Sequence, residues 1–595
     1  MSTAAVGTLL PDVLRDRARR QPTERAFVLL DVRGDEYATL TYGDLDARAR
    51  AVAAALAGIA APGDRALLMF DTGPDFLVAY AACLYTGVVA VPIVPPRAGS
   101  VRASTAAIVR DCAPVALLGI SALLDAVTPD LVALCPGLHP LPVDLIAADA
   151  VDADAAAAFV PVPVGPDTLA FLQYTSGSTA TPKGVMVTHG NLAANQEMIA
   201  AEFRHDPRQA WVGWAPLFHD QGLIGNVLHP LYIGALGVLM PPAAFVRRPL
   251  LWLSVISRYR AGSSGGPNFA FELCATHASR LGSPAAAGRA GAAGLDPDLD
   301  LSCWKVAFNG AEPIRADTLR RFAEAFAPYG LRPETLYPCY GLAEATLFVT
   351  GSEPGRGPRT LTADPDALSA RRYRPASGPD ARVLVGSGRV LPGGGVRIVD
   401  PDIGLPSPPD HIGEIWLHGP HITHGYWRRP DATAETFDAT CPDDPDRRYL
   451  RTGDLGLIVD GELYVAGRLK DMIIIRGRNH YPQDIELTAT SAHPAVRPGG
   501  AAAFTVPHPG GTIDDADMLV VVLELRATPG VDPDEAAEQI RAAVLREHDL
   551  SIGELVLTES GALDKTSSGK IMRAAARHRH LATGFPAWTP SLPPV

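Results

Sequence analysis

Hydrophobic positions in the first third of the chain alternate between helical spacing and short continuous runs. The helical spacing is clearest before Gly58, at Leu45, Ala49, Val52 and Leu56. Apolar runs at 66–70 and 88–91 are typical of buried strands, and residues 76–85 between them have a helical pattern. Because a strand, a helix and a strand in this order form a parallel crossover unit, the pattern predicts an α/β fold.

The C-terminal part of the chain has a different pattern. An amphipathic helix is predicted over residues 534–547, with the inward positions Ala537, Ile540, Val544 and Leu545. Three strand-like runs surround it, at 502–506, 518–525 and 555–557. A domain of about a hundred residues with this mixture belongs to the α+β class.

We therefore divide the chain into an N-terminal domain at 1–465, a hinge at 466–471 and a small α+β domain at 472–585. Residues 586–595 include four prolines. The backbone of such a segment can form few hydrogen bonds to other segments, so we expect it to be an extended, weakly ordered tail.

Composition excludes several classes of protein. The 595 residues are 47% hydrophobic and 20% charged, which is ordinary for a globular protein. A net charge of −13 without a long basic run argues against nucleic-acid binding. Seven dispersed cysteines without C-x-x-C spacing predict reduced thiols. No apolar run has the form of a signal peptide or a membrane span, so we expect a soluble, cytoplasmic protein without stable membrane insertion.

A loop rich in small and hydroxyl-bearing residues lies between the apolar runs 169–172 and 185–189. Small residues let backbone N–H groups approach phosphate oxygens, hydroxyls add donors and a lysine adds positive charge. The candidates are Thr175, Ser176, Gly177, Ser178, Thr179 and Lys183. Pro182 and Gly184 break the Walker A pattern, which disfavours a P-loop NTPase. An ordinary surface loop is the alternative for this stretch taken alone.

Five further motifs follow the loop, at 309–313, 340–344, 449–454, 467–471 and 563–573. Taken singly, these residues also fit purely structural roles. Tyr340 would be a core tyrosine, Glu344 a solvated acid, and Arg468 with Lys470 part of a charged turn. In this order and spacing, together with the loop, they resemble the adenylate-forming superfamily. That superfamily includes acyl-CoA synthetases, nonribosomal-peptide adenylation domains, luciferases and fatty acyl-AMP ligases.

The resemblance implies a large α/β domain with a distorted barrel and a small mobile α+β domain. Tyr340 would stack on adenine and Asp454 would hold the ribose hydroxyls, in a nucleotide site that also includes Asn309, Gly310, Ala311, Glu312, Gly341 and Arg468. Glu344 would offer a carboxylate to Mg²⁺. Lys470 would be the hinge pivot.

The resemblance also assigns the catalytic lysine. Lys570 would be delivered by the small domain, and with Lys183 it would neutralise charge while one anion attacks another. The family's usual proline after Leu563 is Asp564 in this chain.

Two segments, 214–225 and 264–270, resemble those of fatty acyl-AMP ligases most closely. In that group they lie beside the acyl carboxylate and the mouth of its tunnel, which implies an acyl site of Trp214, His219, Asp220, Gly265, Gly266, Pro267 and Asn268. His219 would hydrogen-bond the carboxylate as a third catalytic candidate, and a buried histidine satisfied by the backbone is the alternative. We interpret most of the apolar run 228–242 as core rather than tunnel.

An extra polar stretch at 354–379 lies between Glu344 and the turn at Gly388. It resembles the insertion that marks fatty acyl-AMP ligases and restricts the domain motion that CoA thioesterification needs. An ordinary variable loop is the alternative. The segment 478–486, after the hinge, also resembles that subgroup.

The sequence thus predicts an enzyme that uses ATP and Mg²⁺ to convert a medium- or long-chain fatty acid into acyl-AMP and pyrophosphate. The acyl group would pass to the phosphopantetheine arm of a separate holo acyl carrier protein, feeding polyketide or lipopeptide assembly. An acyl-CoA synthetase is the alternative with the same fold. A non-catalytic acyl-nucleotide or lipid-binding protein is the alternative of another class, although such a protein has no need for Lys570.

Overall fold

A computed structural model describes residues 7–96, 101–148, 158–175, 182–281, 298–378, 380–390, 395–475, 478–507, 517–526, 530–566 and 570–588. The strands in chain order are β1 (Arg25–Leu30), β2 (Glu36–Thr41), β3 (Arg65–Met69), β4 (Val89–Ile93), β5 (Ala116–Gly119), β6 (His139–Pro142), β7 (Leu169–Thr175), β8 (Lys183–Thr188), β9 (Trp211–Gly213), β10 (Gly237–Leu239), β11 (Ser263–Gly266), β12 (Val306–Asn309), β13 (Leu336–Gly341), β14 (Phe348–Gly351), β15 (Thr360–Ala363), β16 (Arg382–Arg389), β17 (Val396–Val399), β18 (Gly413–Leu417), β19 (Ala439–Cys441), β20 (Asp444–Val459), β21 (Glu462–Arg468), β22 (Ile473–Ile475), β23 (Arg478–His480), β24 (Val496–Val506), β25 (Met518–Leu525) and β26 (Glu554–Glu559).

The α-helices span Leu10–Arg20, Tyr42–Ala57, Pro74–Thr86, Ala103–Cys112, Ser121–Leu134, Val143–Ala148, His189–Phe203, His229–Ile233, Pro242–Arg247, Pro249–Arg258, Asn268–Leu281, Ala316–Phe326, Pro365–Ser369, Pro430–Phe437, Pro482–Ala492, Pro533–His548 and Arg573–Ala582. A π-helix occupies Gln221–Leu228, and 3₁₀ turns occupy Ala327–Tyr329, Pro333–Thr335, Ala343–Ala345 and Leu469–Asp471.

The predicted crossover unit lies in a six-stranded sheet of order β6-β5-β3-β4-β7-β8. Strands β3 and β4 are parallel neighbours joined by helix Pro74–Thr86, and the expected inward residues of helix Tyr42–Ala57 are buried. Both findings confirm the prediction. Strands β7 and β8 form an antiparallel hairpin at the edge of this sheet, so the hydroxyl-rich loop lies at the tip of a hairpin.

A second sheet has eight strands in the order β14-β13-β12-β11-β9-β10-β1-β2. Its strands from β13 to β1 run parallel to one another. Since parallel strands end at the same edge, the segments that follow β9, β11 and β12 meet there. That edge gathers Trp214, Gly266, Asn309 and Tyr340, which come from four separate motifs.

A third, antiparallel sheet has the order β15-β16-β21-β20-β18-β17, with β19 paired to β20. Most of its strands follow the predicted insertion, whereas β15 and helix Pro365–Ser369 lie within it. Strand β21 extends to Arg468, so the chain leaves the large domain at the 3₁₀ turn Leu469–Asp471.

The small domain consists of the hairpin β22–β23, the sheet β24-β25-β26 and three helices, which confirms the expected α+β class. The predicted inward position of Leu545 is wrong, since its side chain is 52% exposed and Ala536 and Ala543 are buried instead. The start of the predicted tail is also ordered. Ala587 pairs with Thr558, and Trp588 is buried in the core of this domain.

Described helices include none that is both long and apolar enough to cross a membrane. All seven cysteines are free thiols, five of them buried, in agreement with the prediction of reduced cysteines. Most of the residues 228–242 are buried.

Candidate active site

The hairpin β7–β8 fixes both ends of the predicted phosphate-binding loop. Thr175 and Lys183 are opposite each other across the hairpin. The Tyr174 hydroxyl donates to Asp111 at 2.7 Å, and its ring lies over Gly184, where a Cβ atom would be 2.9 Å from the ring. The remaining loop candidates, Ser176, Gly177, Ser178 and Thr179, lie outside the described residues.

Lys183 and Glu344 are linked through Tyr426, a residue that the sequence analysis missed. The Lys183 ammonium lies 4.7 Å from the centre of the Tyr426 ring. The Tyr426 hydroxyl donates to Glu344 Oε1 at 2.8 Å. Burial and the Glu344 carboxylate raise the pKa of Tyr426, so its hydroxyl stays protonated and remains a donor. Tyr426 thus contacts a cation through its ring and an anion through its hydroxyl.

The backbone at Glu344 is held tightly. Both the N–H and the hydroxyl of Thr423 donate to the Glu344 carbonyl at 3.0 Å. Thr346 has φ +67° and ψ −65°, a strained conformation for a β-branched residue. Its hydroxyl donates to the His421 carbonyl at 2.7 Å, which helps to hold that strain beside the site.

Asn309 ends β12 with an amide that has unused hydrogen-bonding capacity. Its side chain is fully buried, and neither Oδ1 nor Nδ2 has a hydrogen-bond partner within the described part of the chain. The next residue is Gly310, where a Cβ would be 2.9 Å from Cys339 Sγ. Ala311 then adopts φ +71° and turns the chain toward Glu312. Gly341 has no room for a side chain either, since a Cβ would be 1.8 Å from the Leu347 carbonyl oxygen.

Asp454 connects Tyr340 to Arg468. The Tyr340 hydroxyl donates to Asp454 Oδ2 at 2.8 Å, and Arg468 Nε donates to Oδ1 at 3.0 Å. Asp454 and Arg468 are also register partners in β20 and β21. Buried Glu414 accepts from the Gly453 N–H at 3.0 Å and so fixes the turn before Asp454. The sequence analysis placed these three residues in one site, and the structure brings them together.

Lys570 of the small domain lies within electrostatic reach of the same site. Burial and Arg468 lower the pKa of its ammonium, while Asp220, Glu312 and Asp454 act in the opposite direction. Burial raises the pKa of Glu312, whose carboxylate also accepts from the Phe269 N–H. The two motifs that supply Lys570 and Asp454 lie in different domains and are electrostatically coupled.

The hinge region is tied to the small domain by Arg573. Lys470 lies in the 3₁₀ turn Leu469–Asp471 and is exposed. Next to it, Asp471 accepts from Arg573 at 2.8 Å, and Arg573 also makes two bonds to Glu486 at 2.6 and 2.8 Å. Arg573 therefore connects the end of the Lys570 motif to the hinge.

Trp214 packs against the end of β11. Its ring stacks on Phe245 with centroids 4.0 Å apart, and a Cβ at Gly266 would lie 2.5 Å from Trp214 Cζ2. Gly265 is equally constrained, since a Cβ there would be 2.0 Å from the Phe308 carbonyl oxygen. These glycines let an aromatic ring lie directly on the strand.

The predicted acyl residues Pro267 and Asn268 begin helix Asn268–Leu281. The Pro267 carbonyl accepts from Ala270 at 2.9 Å. Buried Asn268 accepts from the Arg315 N–H at 3.1 Å, so its amide connects two elements of the large domain. This contact accounts for its burial without any ligand.

His219 and Asp220 end the loop before the π-helix. The His219 carbonyl accepts from Leu223 at 2.8 Å, and Asp220 Oδ1 accepts from the Gln221 N–H at 2.7 Å. Gln173 of β7 donates to the Phe218 carbonyl at 2.9 Å and so anchors this loop to the phosphate-loop hairpin. Gln173 was not predicted, because a polar residue within a strand has no distinguishing signal in the sequence.

Comparison with known proteins extends this picture. Residues 14–427 match the model of a family described as AMP-binding enzyme, and residues 470–587 match one described as Disco-interacting protein 2-like, AMP domain. A medium-chain-fatty-acid--[acyl-carrier-protein] ligase, JamA of Moorena producens, is 39% identical over 99% of this chain and 97% of its own. A long-chain-fatty-acid--AMP ligase, FadD26 of Mycobacterium marinum, is 37% identical over 97% and 98%.

Solved structures agree with these relatives. A fatty acyl-adenylate ligase from L. pneumophila, in complex with acyl adenylate and pyrophosphate, is 37% identical with a TM-score of 0.72, and the match covers 97% of each chain. A chain from structural studies of the fatty acyl-adenylate ligases of E. coli and L. pneumophila has a TM-score of 0.83 at 32% identity, covering 97% of this chain and 99% of its own.

Proposed function

Because this chain belongs to the AMP-binding enzyme family and, within it, to the fatty acyl-AMP ligases, we propose that it activates a medium- or long-chain fatty acid with ATP. The products of the first step are acyl-AMP and pyrophosphate. The acyl group then passes to the phosphopantetheine thiol of a carrier protein that serves polyketide or lipopeptide assembly. The observation that carries the proposal is that Lys570, on the small domain, lies within electrostatic reach of Asp454 and Glu312 of the large one.

The chemistry gives these residues their roles. A carboxylate oxygen attacks the α-phosphorus of ATP, and the bond between that phosphorus and the pyrophosphate oxygen breaks. Since both reactants are anions, positioning and charge neutralisation supply most of the rate enhancement. Lys570 and Lys183 provide the positive charge, and His219 orients the fatty acid carboxylate. After this step the small domain moves, and the thiol attacks the acyl carbon to release AMP.

The nucleotide fits the residues present. Asn309 carries one unused donor and one unused acceptor, and an Asn amide can pair with the N6 and N7 atoms of adenine in this way. Asp454 is already placed between Tyr340 and Arg468, so its carboxylate is available to accept from two ribose hydroxyls beside the aromatic ring.

Magnesium would be held by Glu344 together with the phosphates. Mg²⁺ keeps several waters and needs only one or two protein carboxylates when phosphates supply the rest of its ligands. Glu344 offers one such carboxylate, oriented by Tyr426 next to Lys183. When bound, the ion would neutralise phosphate charge.

Transfer to a carrier rather than to CoA is supported by contacts between the insertion and the small domain. Leu368 of the insertion packs in one apolar cluster with Tyr481, and the Asn479 amide donates to the Ser369 carbonyl at 2.8 Å. Arg382, which follows the insertion, pairs with Asp484 at 2.6 Å. These contacts hold the small domain in its closed position and so oppose the rotation that a CoA-utilising enzyme requires.

The test is product analysis by mass spectrometry. The protein is incubated with Mg²⁺, ATP and a panel of fatty acids, with CoA or a phosphopantetheinylated carrier protein in parallel. We expect acyl-AMP, acyl-carrier and no acyl-CoA. Lys570→Ala should abolish acyl-AMP formation, whereas Lys305→Ala should retain it, because the exposed Lys305 ammonium donates to the Ser302 carbonyl at 3.1 Å. Abundant acyl-CoA would instead identify an acyl-CoA synthetase.

A non-catalytic binding protein is the contrasting outcome. It would bind acyl-adenylate equally well with and without Lys570 and would release no pyrophosphate. The free cysteines suit a reducing compartment, and we propose the cytoplasm as the location of the reaction.

A further inference from the structure

An open cleft lies where the insertion begins, between the ends of β14 and β16 and the start of β21. We call it the arginine cleft, and its volume is about 190 Å³, roughly six times the ~30 Å³ that a water molecule occupies in the liquid. The charged and hydroxyl-bearing residues that line it are Ser352, Glu353, Arg356, Arg359, Arg389 and Glu462. Three guanidinium groups and two carboxylates give the arginine cleft a net positive charge.

Two glycines bring the walls of the arginine cleft together. A Cβ at Gly388, which has φ +112°, would be 2.2 Å from the Gly351 nitrogen, so the ends of β14 and β16 touch. Ser352 and Arg389 directly follow these two glycines. Tyr337 of the neighbouring strand β13 reaches the same place, since a Cβ at Gly351 would be 2.3 Å from its hydroxyl oxygen. Polar side chains from three strand ends therefore lie close together.

Each of these three side chains has a buried polar atom without a hydrogen-bond partner in the described part of the chain. The atoms are Tyr337 Oη, Ser352 Oγ and Arg389 Nε. Burial raises the pKa of Tyr337, so its hydroxyl keeps its proton, and an arginine Nε can only donate. Buried polar groups almost always have a partner, so three such donors indicate a ligand that accepts hydrogen bonds. A single water molecule accepts two at most and would leave one donor unsatisfied.

The guanidinium groups of the arginine cleft also keep donors for a ligand. Each has one long ion pair with a carboxylate of the protein. The pairs are Arg356–Glu353 at 3.3 Å, Arg359–Glu462 at 3.7 Å and Arg389–Glu202 at 3.7 Å. A charge-assisted hydrogen bond between such groups is about 2.7–2.9 Å long, so these carboxylates do not saturate the guanidinium groups.

We propose that the arginine cleft binds a phosphate group, either inorganic phosphate or the phosphate of a monoester whose other atoms extend into solvent. Tyr337, Ser352 and Arg389 donate to it from the buried side. Arg356 and Arg359 bind it from the open side, where the Arg356 side chain is 58% exposed. A phosphate has enough oxygen lone pairs for all of these donors. Since Arg356 and Arg359 belong to the insertion, the bound phosphate fastens the start of the insertion to the large domain.

Hydrogen exchange of the wild-type protein tests this without any variant. Inorganic phosphate is titrated against chloride at constant ionic strength, and exchange is followed in residues 352–363. At a phosphate concentration ten times Kd, amides that exchange only after the site opens should slow about tenfold. Glycerol 3-phosphate is titrated in parallel. Tighter binding of this ester would support a phosphorylated metabolite as the ligand, and equal or tighter binding of inorganic phosphate would support the free ion.

Variants of the cleft test the donors one at a time. Ser352→Ala should weaken phosphate binding about tenfold, because it removes a buried donor to an anion. Without phosphate its melting temperature should not fall, since the lost hydroxyl has no partner among the described residues. Arg356→Gln should weaken binding similarly, and its exposed position should let it fold normally. Arg374→Gln is the matched control, because Arg374 also belongs to the insertion but pairs with Asp364 at 2.7 Å.

Lys183→Ala separates the arginine cleft from the predicted phosphate-binding loop. Exchange in residues 352–363 should still respond to phosphate in this variant, because Lys183 lies in the β7–β8 hairpin of a different sheet. The inference is overturned if wild-type exchange in 352–363 responds to neither phosphate nor glycerol 3-phosphate, or if Lys183→Ala removes the response. It is also overturned if Ser352→Ala and Arg356→Gln bind phosphate as tightly as Arg374→Gln.

Discussion

Arg382 forms a clamp on the small domain that can be taken apart one contact at a time. Its guanidinium lies 2.6 Å from the Asp484 carboxylate and 4.6 Å from the centre of the Tyr481 ring. Arg382 belongs to the large domain and its two partners to the small one. Burial raises the pKa of Asp484 and Arg382 opposes that rise, so loss of Arg382 leaves a poorly compensated carboxylate. The Arg382→Ala substitution should therefore favour opening of the domains.

The size of the effect follows from the two contacts. The ion pair is partly solvated, with side chains 22% and 29% exposed, so it contributes about 0.2–1 kcal/mol. The cation–π contact adds about 0.5–1 kcal/mol. Together they stabilise the closed state by about 1–2 kcal/mol, which corresponds to a change of about 5- to 30-fold in the ratio of open to closed molecules.

Hydrogen exchange across the hinge measures this ratio. Amides in residues 469–475 should exchange about 5- to 30-fold faster in Arg382→Ala. Asp484→Ala should produce a smaller increase, and the double variant should be no faster than Arg382→Ala alone, because the two residues share one contact. Arg478→Ala is the matched control. Its ion pair with Asp366 is 3.7 Å long and exposed, so it should change the exchange rate little.

Two results would refute this reasoning. Exchange in Arg382→Ala at the wild-type rate would mean that the clamp does not hold the domains. Equal effects of Arg382→Ala and Arg478→Ala would mean that general surface charge, rather than this geometry, determines closure. If the clamp restricts the acceptor as proposed, the faster-opening variant should also form detectable acyl-CoA.

Three further outcomes are expected. Tyr426→Phe should lower kcat about tenfold, since Glu344 loses a hydroxyl donor. Tyr426→Leu should lower kcat further, because it also removes the ring beneath Lys183. Equal rates in the two variants would contradict this. Gly266→Ala should reduce kcat/KM for the fatty acid at least tenfold, because the new methyl would be 2.5 Å from Trp214 Cζ2, and a normal value would show that the ring moves freely. Burial lowers the pKa of His421 to about 4. Between pH 4 and pH 6.5 the unfolded chain therefore binds a proton at this residue that the folded chain does not. The stability that is present above pH 6.5 is lost as the pH falls toward 4. Burial also lowers the pKa of His189 to about 4, so His421→Gln should reduce the slope of the melting temperature over that range without abolishing it, and an unchanged slope would exclude His421 as a contributor.

Local patterns predicted the fold where one period dominates the sequence. The run at 66–70 corresponds to β3 and the helical pattern at 76–85 to helix Pro74–Thr86. Each segment has a hydrophobic period that fits only one type of secondary structure. Leu545 shows the limit of this reasoning. Ile540 and Val544 are four residues apart and share a face, whereas Leu545 is rotated by about 100° from Val544 and points away from the core.

Contacts between distant segments explain most of what could not be predicted at the site. Tyr426 is 243 residues from Lys183 and 82 from Glu344 along the chain, and no spacing rule connects them. The only local signal was an aromatic residue after Gly425, whose φ of +114° marks a turn. The order of the strands in the large sheets determines this meeting, and that order is a property of the whole fold.

Closure of the two domains combines two physically separate attractions. At the reaction centre, Asp220, Glu312 and Asp454 attract Lys570, while burial and Arg468 oppose its positive charge. At the insertion, packing and the Arg382 clamp act without any group of the reaction centre. Added salt should therefore weaken the first attraction more than the apolar part of the second. Because the two act at different places, loss of Lys570 should abolish adenylation without opening the domains fully, and loss of Arg382 should open them without abolishing adenylation.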